Sequence, residues 1–322
     1  IMDLTQNNYQ DINLYADMQL EYVNVNATGY KTACSSQGTS ISSNYPIFYG
    51  RANNFRIGRG MKLANTSNDA AVAGSVIGGF SSGTTVGSSS NSNNAYKLVI
   101  ESGKYSSLLG WNVYGKTSSY YGTVYWTLGS DIDRALNDNN KLSSYFRNTV
   151  NAGGGINGKS NIRDKAYLIN VKSGIFGVDA ANDGYGDAYT SGIYMGGYGT
   201  GTSNYTKDIS DRYMVVEGGV IYNINCGLKV ASNSTAVLTK LYVKGGEIYN
   251  IVGGAGQSTT YGSRILQITG GKVRYSVSGG SNGYTTSTEG QISNCNTLVY
   301  VGGNAQIGDE TLVGYITDGR IV

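Results

Sequence analysis

Between residues 212 and 254 the chain writes one motif twice: V-E-G-G-V-I-Y-N-I-N-C-G at 216–227 and V-K-G-G-E-I-Y-N-I-V-G-G at 243–254. A looser copy begins at Ile268-Thr269-Gly270-Gly271 and ends at Val277-Ser278-Gly279-Gly280, and another begins at Tyr300-Val301-Gly302-Gly303. The leading glycines, Gly218, Gly245, Gly270 and Gly302, are 27, 25 and 32 residues apart. A period of this length marks repeated units that stack.

Inside each unit the apolar residues alternate, as in Tyr213, Val215 and then Ile221, Ile224, or Leu241, Val243 and then Ile248, Ile251. That is a strand period interrupted by a Gly-Gly corner. Glycine allows a backbone turn closed to other residues and leaves no side chain against the unit above. Short strands with no hairpin signal between them fit one turn of a parallel solenoid. Successive turns would sit about 4.8 Å apart, the spacing of paired strands.

Stacking predicts neighbours. Glu217 should lie beside Lys244, Glu247 beside Lys272, Tyr222 on Tyr249, and Asn223 on Asn250. Opposite charges placed this way add roughly 0.2–1 kcal/mol each. Asn and aromatic ladders are recurrent features of stacked chains.

Further copies precede the clear ones. They are Phe55-Arg56-Ile57-Gly58-Arg59-Gly60, Gly74-Ser75-Val76-Ile77-Gly78-Gly79, Leu98-Val99-Ile100-Glu101-Ser102-Gly103 and Ile169-Asn170-Val171-Lys172-Ser173-Gly174. The expected architecture is all-β: a right-handed parallel β-helix of about eight coils in one domain spanning 1–322. Residues 1–96 read as irregular coils, 97–211 as coils with long insertions, and 212–322 as regular coils. Val113 to Leu128 alternates like a strand or two. From Asp131 to Val150 the pattern has helical character: Ile132, Leu136, Leu142 and Phe146 could share a face, but Asn137-Asp138-Asn139-Asn140 breaks it, which predicts an insertion with a short helix.

Composition narrows the chemistry. The chain has 48 glycines and 28 tyrosines but no histidine, and only 14% of it is charged, about half the usual share. Without histidine there is no Ser-His-Asp or Cys-His arrangement and no His-based metal site. A net charge of +3 with no basic run argues against nucleic acid as a partner. No apolar run is long enough to span a membrane. Cys34, Cys226 and Cys295 form no C-x-x-C pair, and stacked coils would keep Cys226 and Cys295 too far apart to bond. Free, mostly buried thiols are expected. The opening Ile1 and the strand-like Gly319-Arg320-Ile321-Val322 suggest a segment of a longer or processed chain.

Candidate sites lie in the insertions. Asp179, Asp183 and Asp187, with Gly184 between, carry oxygen ligands at the spacing of a calcium loop, although Ala181 and Thr190 stand where such loops carry acids. Calcium is the one cofactor this pattern could hold. Trp126, Tyr120 and Tyr121, and more loosely Trp111, Tyr185 and Tyr189, could present rings to a ligand. A glycosidase would need two facing carboxylates, for which Asp131 with Asp133, or Asp183 with Asp187, are the candidates. No catalytic residue is assigned, because these pairs read better as solvated loop acids.

The motifs V-E-G-G-V-I-Y-N-I-N-C-G and V-K-G-G-E-I-Y-N-I-V-G-G resemble the coils of large bacterial cell-surface parallel β-helix proteins of the adhesin type. The resemblance covers about residues 97–322 and is specific for architecture. It implies an exported, non-enzymatic structural or adhesive protein of a cell surface or extracellular filament. The implied partners are surface glycans, other cell-surface proteins, or further copies stacked end to end. The same fold is used by pectate-lyase-like enzymes and phage tailspikes, so a carbohydrate-active enzyme or a tail fibre are the alternatives. Those enzymes depend on an Asp, Lys, Arg or His cluster on one face, and no such cluster is matched here.

Overall fold

The computed structural model describes residues 2–3, 12–26, 47–63, 73–79, 84–88, 91, 93–109, 117–136, 145–151, 159–163, 166–177, 192–195, 211–226, 238–253, 263–280 and 296–308. Most of these residues belong to parallel β-structure. Two long arrays dominate, and the chain visits them alternately.

Array I runs in chain order through Met18–Leu20, Phe55–Ile57, Asn94–Ile100, Thr117–Leu128, Ala166–Val171, Asp211–Val216, Leu238–Val243, Ser263–Ile268 and Thr297–Val301. Array II runs through Ile12–Asn13, Ile47–Tyr49, Ala73–Ile77, Lys104–Leu109, Tyr145–Asn151, Ile175–Phe176, Val220–Asn225, Glu247–Val252, Lys272–Ser278 and Gln306–Ile307. Each strand pairs in parallel with its counterpart one repeat away. A smaller sheet of Met2–Asp3, Asn24–Asn26 and Lys62–Leu63 accompanies the first repeats.

Alternation decides what is inside. In Asp211–Val216, Leu238–Val243 and Ser263–Ile268 every second residue is buried. Met214, Leu241 and Leu266 form one inward column, and Val216, Val243 and Ile268 the next. Array II contributes Ile221, Ile248 and Val273, with Ile224 and Ile251 behind them. These side chains belong to one continuous apolar core. Burial of each one contributes about 1.5–3 kcal/mol.

The two edges of the arrays differ. From residue 98 onward, array I passes to array II mostly through two-residue corners: Ser102-Gly103, Ser173-Gly174, Gly218-Gly219, Gly245-Gly246, Gly270-Gly271 and Gly302-Gly303. The second residue of each has a positive φ, from 61° at Gly303 to 115° at Gly174. Where serine replaces the first glycine its hydroxyl bridges corners: Ser102 Oγ donates to the Gly58 carbonyl at 2.6 Å, and Ser173 Oγ accepts from the Ser130 amide at 3.0 Å. The return from array II to array I takes the longer connections.

Three sequence expectations are corrected. The Gly78-Gly79 pair follows Ala73–Ile77, an array II strand, so it lies at the opposite edge from the other corners. The helix, α1, covers only Asp131–Leu136, and Ile132 is half exposed on it. Phe146 lies in the strand Tyr145–Asn151, where it pairs in register with Tyr105. Strand pairing on both sides outweighs the weak helical periodicity of that stretch.

Candidate functional site

The corner edge gathers the charged side chains. Arg56 reaches Glu101 at 3.0 Å and Glu21 at 3.2 Å. Beyond them α1 sits at the corner Gly129-Ser130. Ser130 caps the helix: its Oγ accepts the Asp133 amide at 3.1 Å and donates to the Asp133 carboxylate at 2.5 Å. Asp133 is fully buried, and its other oxygen accepts from Arg59 at 3.0 Å. Asp131, two residues earlier and exposed, is bound by Lys172 and by Arg134. The Lys172 hydrogen bond, helped by the charges of Lys172 and Arg134, holds the Asp131 carboxyl below its usual 3.8 against the opposing effect of burial. The two acids therefore point into different surroundings and do not face one another across a cleft.

Arg134 also reaches across to Glu217. From there a groove of about 520 Å³ follows the corners. Its floor is the backbone of Gly218, Gly219, Gly246 and Gly271, and its walls include Arg134, Glu217, Glu247, Lys272, Asn304 and Gln306. The floor is flat because the corners touch. A Cβ on Gly245 would stand 2.4 Å from the Glu217 carbonyl oxygen, and one on Gly270 would stand 2.3 Å from that of Lys244.

The expected ladders appear with altered partners. Glu247 and Lys272 are register partners, and Glu217 and Lys244 occupy equivalent places on adjacent corners. Their ion pairs are nevertheless made elsewhere: Glu217 binds Arg134, and Glu247 binds Arg274. Arginine offers a longer reach and a planar fork of donors. Tyr222 stacks on Tyr249 with centroids 4.5 Å apart, and Tyr249 meets Tyr275 edge-on at 5.4 Å. Asn223 and Asn250 are in register, and Ser276 continues that row by donating to Asn250 Oδ1 at 3.0 Å.

The ring set Trp126, Tyr120 and Tyr121 does not form a ligand surface. Trp126 and Tyr120 are core residues, 1% and 0% exposed, and Tyr120 packs edge-on against Tyr96 at 5.3 Å. Burial raises the Tyr120 hydroxyl well above its usual 10.0. Only Tyr121, half buried, lies on the outward side. The parity of Thr117–Leu128 explains this: Tyr120, Val124, Trp126 and Leu128 share the inward face. Beside Tyr121, the outward rings of array I among the described residues are Tyr125, Tyr213, Tyr242 and Tyr300. Counting back by twos from Leu128 assigns Trp126, Val124 and Tyr120 to the inward face and leaves Tyr125 on the outward one.

Those outward rings fall into rows. Tyr125, Leu168 and Tyr213 are register partners on three successive strands, and so are Tyr242, Gln267 and Tyr300. The Lys240 ammonium lies 5.5 Å from the Tyr213 ring centre. Tyrosines in each row are two strands apart, about 9.6 Å.

Cys226 is buried and free, and burial pushes its thiol up to about 12 despite the opposing charge of Arg264. Asp179, Asp183, Asp187, Trp111, Tyr185, Tyr189, Cys34 and Cys295 lie outside the described residues. Among the described residues no three His, Cys, Asp or Glu side chains come together as a metal site would require. The chain matches no protein-family model, no curated protein and no solved structure.

Proposed function

We propose that the chain is a β-solenoid serving as a non-enzymatic structural and adhesive element of a cell surface or extracellular filament. Its binding face is the outward side of array I. The observation that carries this reading is the run of parallel pairing through successive strands that sets Tyr125, Tyr213, Tyr242 and Tyr300 on one face. Tyrosine offers a flat apolar ring and a hydroxyl at low entropic cost, a combination suited to sugar rings and protein surfaces. Parallel strands alternating between two arrays support a solenoid, and crossover chirality favours the right-handed sense. Nine strands at the usual spacing give a rod on the order of 40 Å long. End-to-end association of such rods would extend array I in the same parallel sense.

Retention on immobilised glycans tests the reading, with the triple substitution Tyr125→Ser, Tyr213→Ser, Tyr242→Ser as control. The wild-type chain should be retained and the variant released, with both eluting unmodified glycan. Release of new reducing or unsaturated ends from a polysaccharide would replace the adhesive reading with an enzymatic one.

A further inference from the structure

The edge opposite the glycine corners carries buried charge. Arg212, Thr239 and Arg264 are register partners on three successive strands of array I, and all three face inward. They are 0%, 3% and 2% exposed. The other inward positions of these strands are apolar: Met214, Val216, Leu241, Val243, Leu266 and Ile268. The two arginines stand two strand spacings apart, about 9.6 Å at the backbone. Their side chains are long enough to converge over the threonine hydroxyl between them.

Among the described residues none forms an ion pair with Arg264. Its Nη1 and Nη2 are shielded from solvent and have no hydrogen-bond partner among the described residues. The buried polar groups of the neighbouring array II strand are the neutral amides Asn223 and Asn225. Cys226 lies within reach of the Arg264 charge, and its thiol is neutral. The one buried carboxylate among the described residues, Asp133, sits at the corner edge and is already held by Ser130 and Arg59. An uncompensated guanidinium in an apolar interior is strongly destabilising. Guanidinium donors form a planar fork that matches two oxygens of one anion, and such pairs are the strongest hydrogen bonds arginine makes.

We propose that Arg264 and Arg212, with Thr239 between them, form an internal site for one small oxyanion of the phosphate, sulfate or carboxylate class. The site binds the anion inside the fold, so its occupancy is read in stability. A ligand that binds only the folded state raises stability with the logarithm of its concentration above its dissociation constant.

The test is thermal unfolding of the full chain at fixed ionic strength, with sodium phosphate replacing sodium chloride. The expected result is a saturable rise in Tm with phosphate. Arg264→Met, which keeps an apolar chain and removes the charge, should abolish the saturable part. General salt effects on burial survive in that variant and are subtracted. Thr239→Val keeps the volume and removes one hydroxyl, so the half-saturating phosphate concentration should rise roughly tenfold, the effect of losing one hydrogen bond to a charged group. This milder variant decides the matter if Arg264→Met does not fold. A wild-type chain indifferent to phosphate, or a response unchanged in both variants, overturns the proposal.

Discussion

Gly246 rests on Gly219 so closely that a Cβ on Gly246 would stand 2.9 Å from the Gly219 carbonyl oxygen. That oxygen also accepts the Glu247 amide at 2.8 Å, so it cannot retreat. The Gly246 φ of 86° adds a second penalty for any other residue. Gly308 offers the comparison, with a φ of 96° and no atom within 4 Å of an added Cβ. Gly308→Ala should therefore cost only the backbone penalty, about 1 kcal/mol, while Gly246→Ala costs about 3 kcal/mol or more. Denaturant midpoints of the two variants measure the difference, which is the cost of corner-on-corner contact. Equal losses would mean that the corners are not in contact.

Asp131 and Asp133 are two residues apart and should behave very differently. Asp133 is enclosed, bonded to the Ser130 hydroxyl and to Arg59. Asp133→Ala removes the buried partner of a cation and the anchor of the α1 cap, and should cost about 3 kcal/mol. Ser130→Ala loses the cap and leaves Asp133 one bond short, for about 1 kcal/mol. Asp131→Ala removes a solvent-exposed pair with Lys172 and should stay below about 1 kcal/mol. Chemical unfolding of the three variants should rank them in that order. A large loss at Asp131 with none at Asp133 would contradict the docking of α1.

Much of this fold is legible in the sequence where two signals agree. Val216, Val243 and Ile268 each stand two residues before a glycine pair, and that shared position identifies the inward column without a structure. The same parity places Tyr222 and Tyr249 together. Where only one signal exists the reading fails. Trp126 and Tyr120 look like exposed rings because the stretch around them has no obvious corner, yet Gly129 is a corner with φ 80°. The strand Tyr145–Asn151 carries Arg147, Asn148 and Asn151, and only its pairing on both sides, with Lys104–Leu109 and with Ile175–Phe176, identifies it. The pair Arg134–Glu217 joins residues 83 positions apart. Local sequence specifies the units, and the helix inserted between two of them selects which charges meet.

The tyrosine ladder offers a test of stacking by coupling. Tyr249 lies between Tyr222 and Tyr275, at 4.5 and 5.4 Å, with the Arg274 guanidinium 5.5 Å from its ring centre. Aromatic pairs contribute about 0.5–1.5 kcal/mol beyond the area they bury. Tyr222→Ala and Tyr249→Ala should therefore be less destabilising together than their sum, by about 1 kcal/mol. Strict additivity of the two losses would place the rings apart.

Alkaline pH should unfold the chain through its buried weak acids. Burial pushes Cys226 from 9.0 up to about 12, with Arg264 acting weakly against it, and raises the Tyr105 and Tyr120 hydroxyls far above their usual 10.0. In each case the unfolded chain loses its proton at a lower pH than the folded chain does. Stability from these groups is therefore complete below pH 9, where both states are protonated, and declines as pH climbs through the interval from 9.0 to about 12. The urea midpoint should be level up to about pH 9 and then fall with increasing slope as the tyrosines join. Cys226→Ala should flatten the first part of that fall, whatever it does to stability at neutral pH. Tyr105→Phe, whose hydroxyl donates to the Ser102 carbonyl at 3.0 Å, should start from a lower midpoint and lose less between pH 10 and 12. Parallel curves for wild type and both variants would mean that neither group is buried in the folded chain.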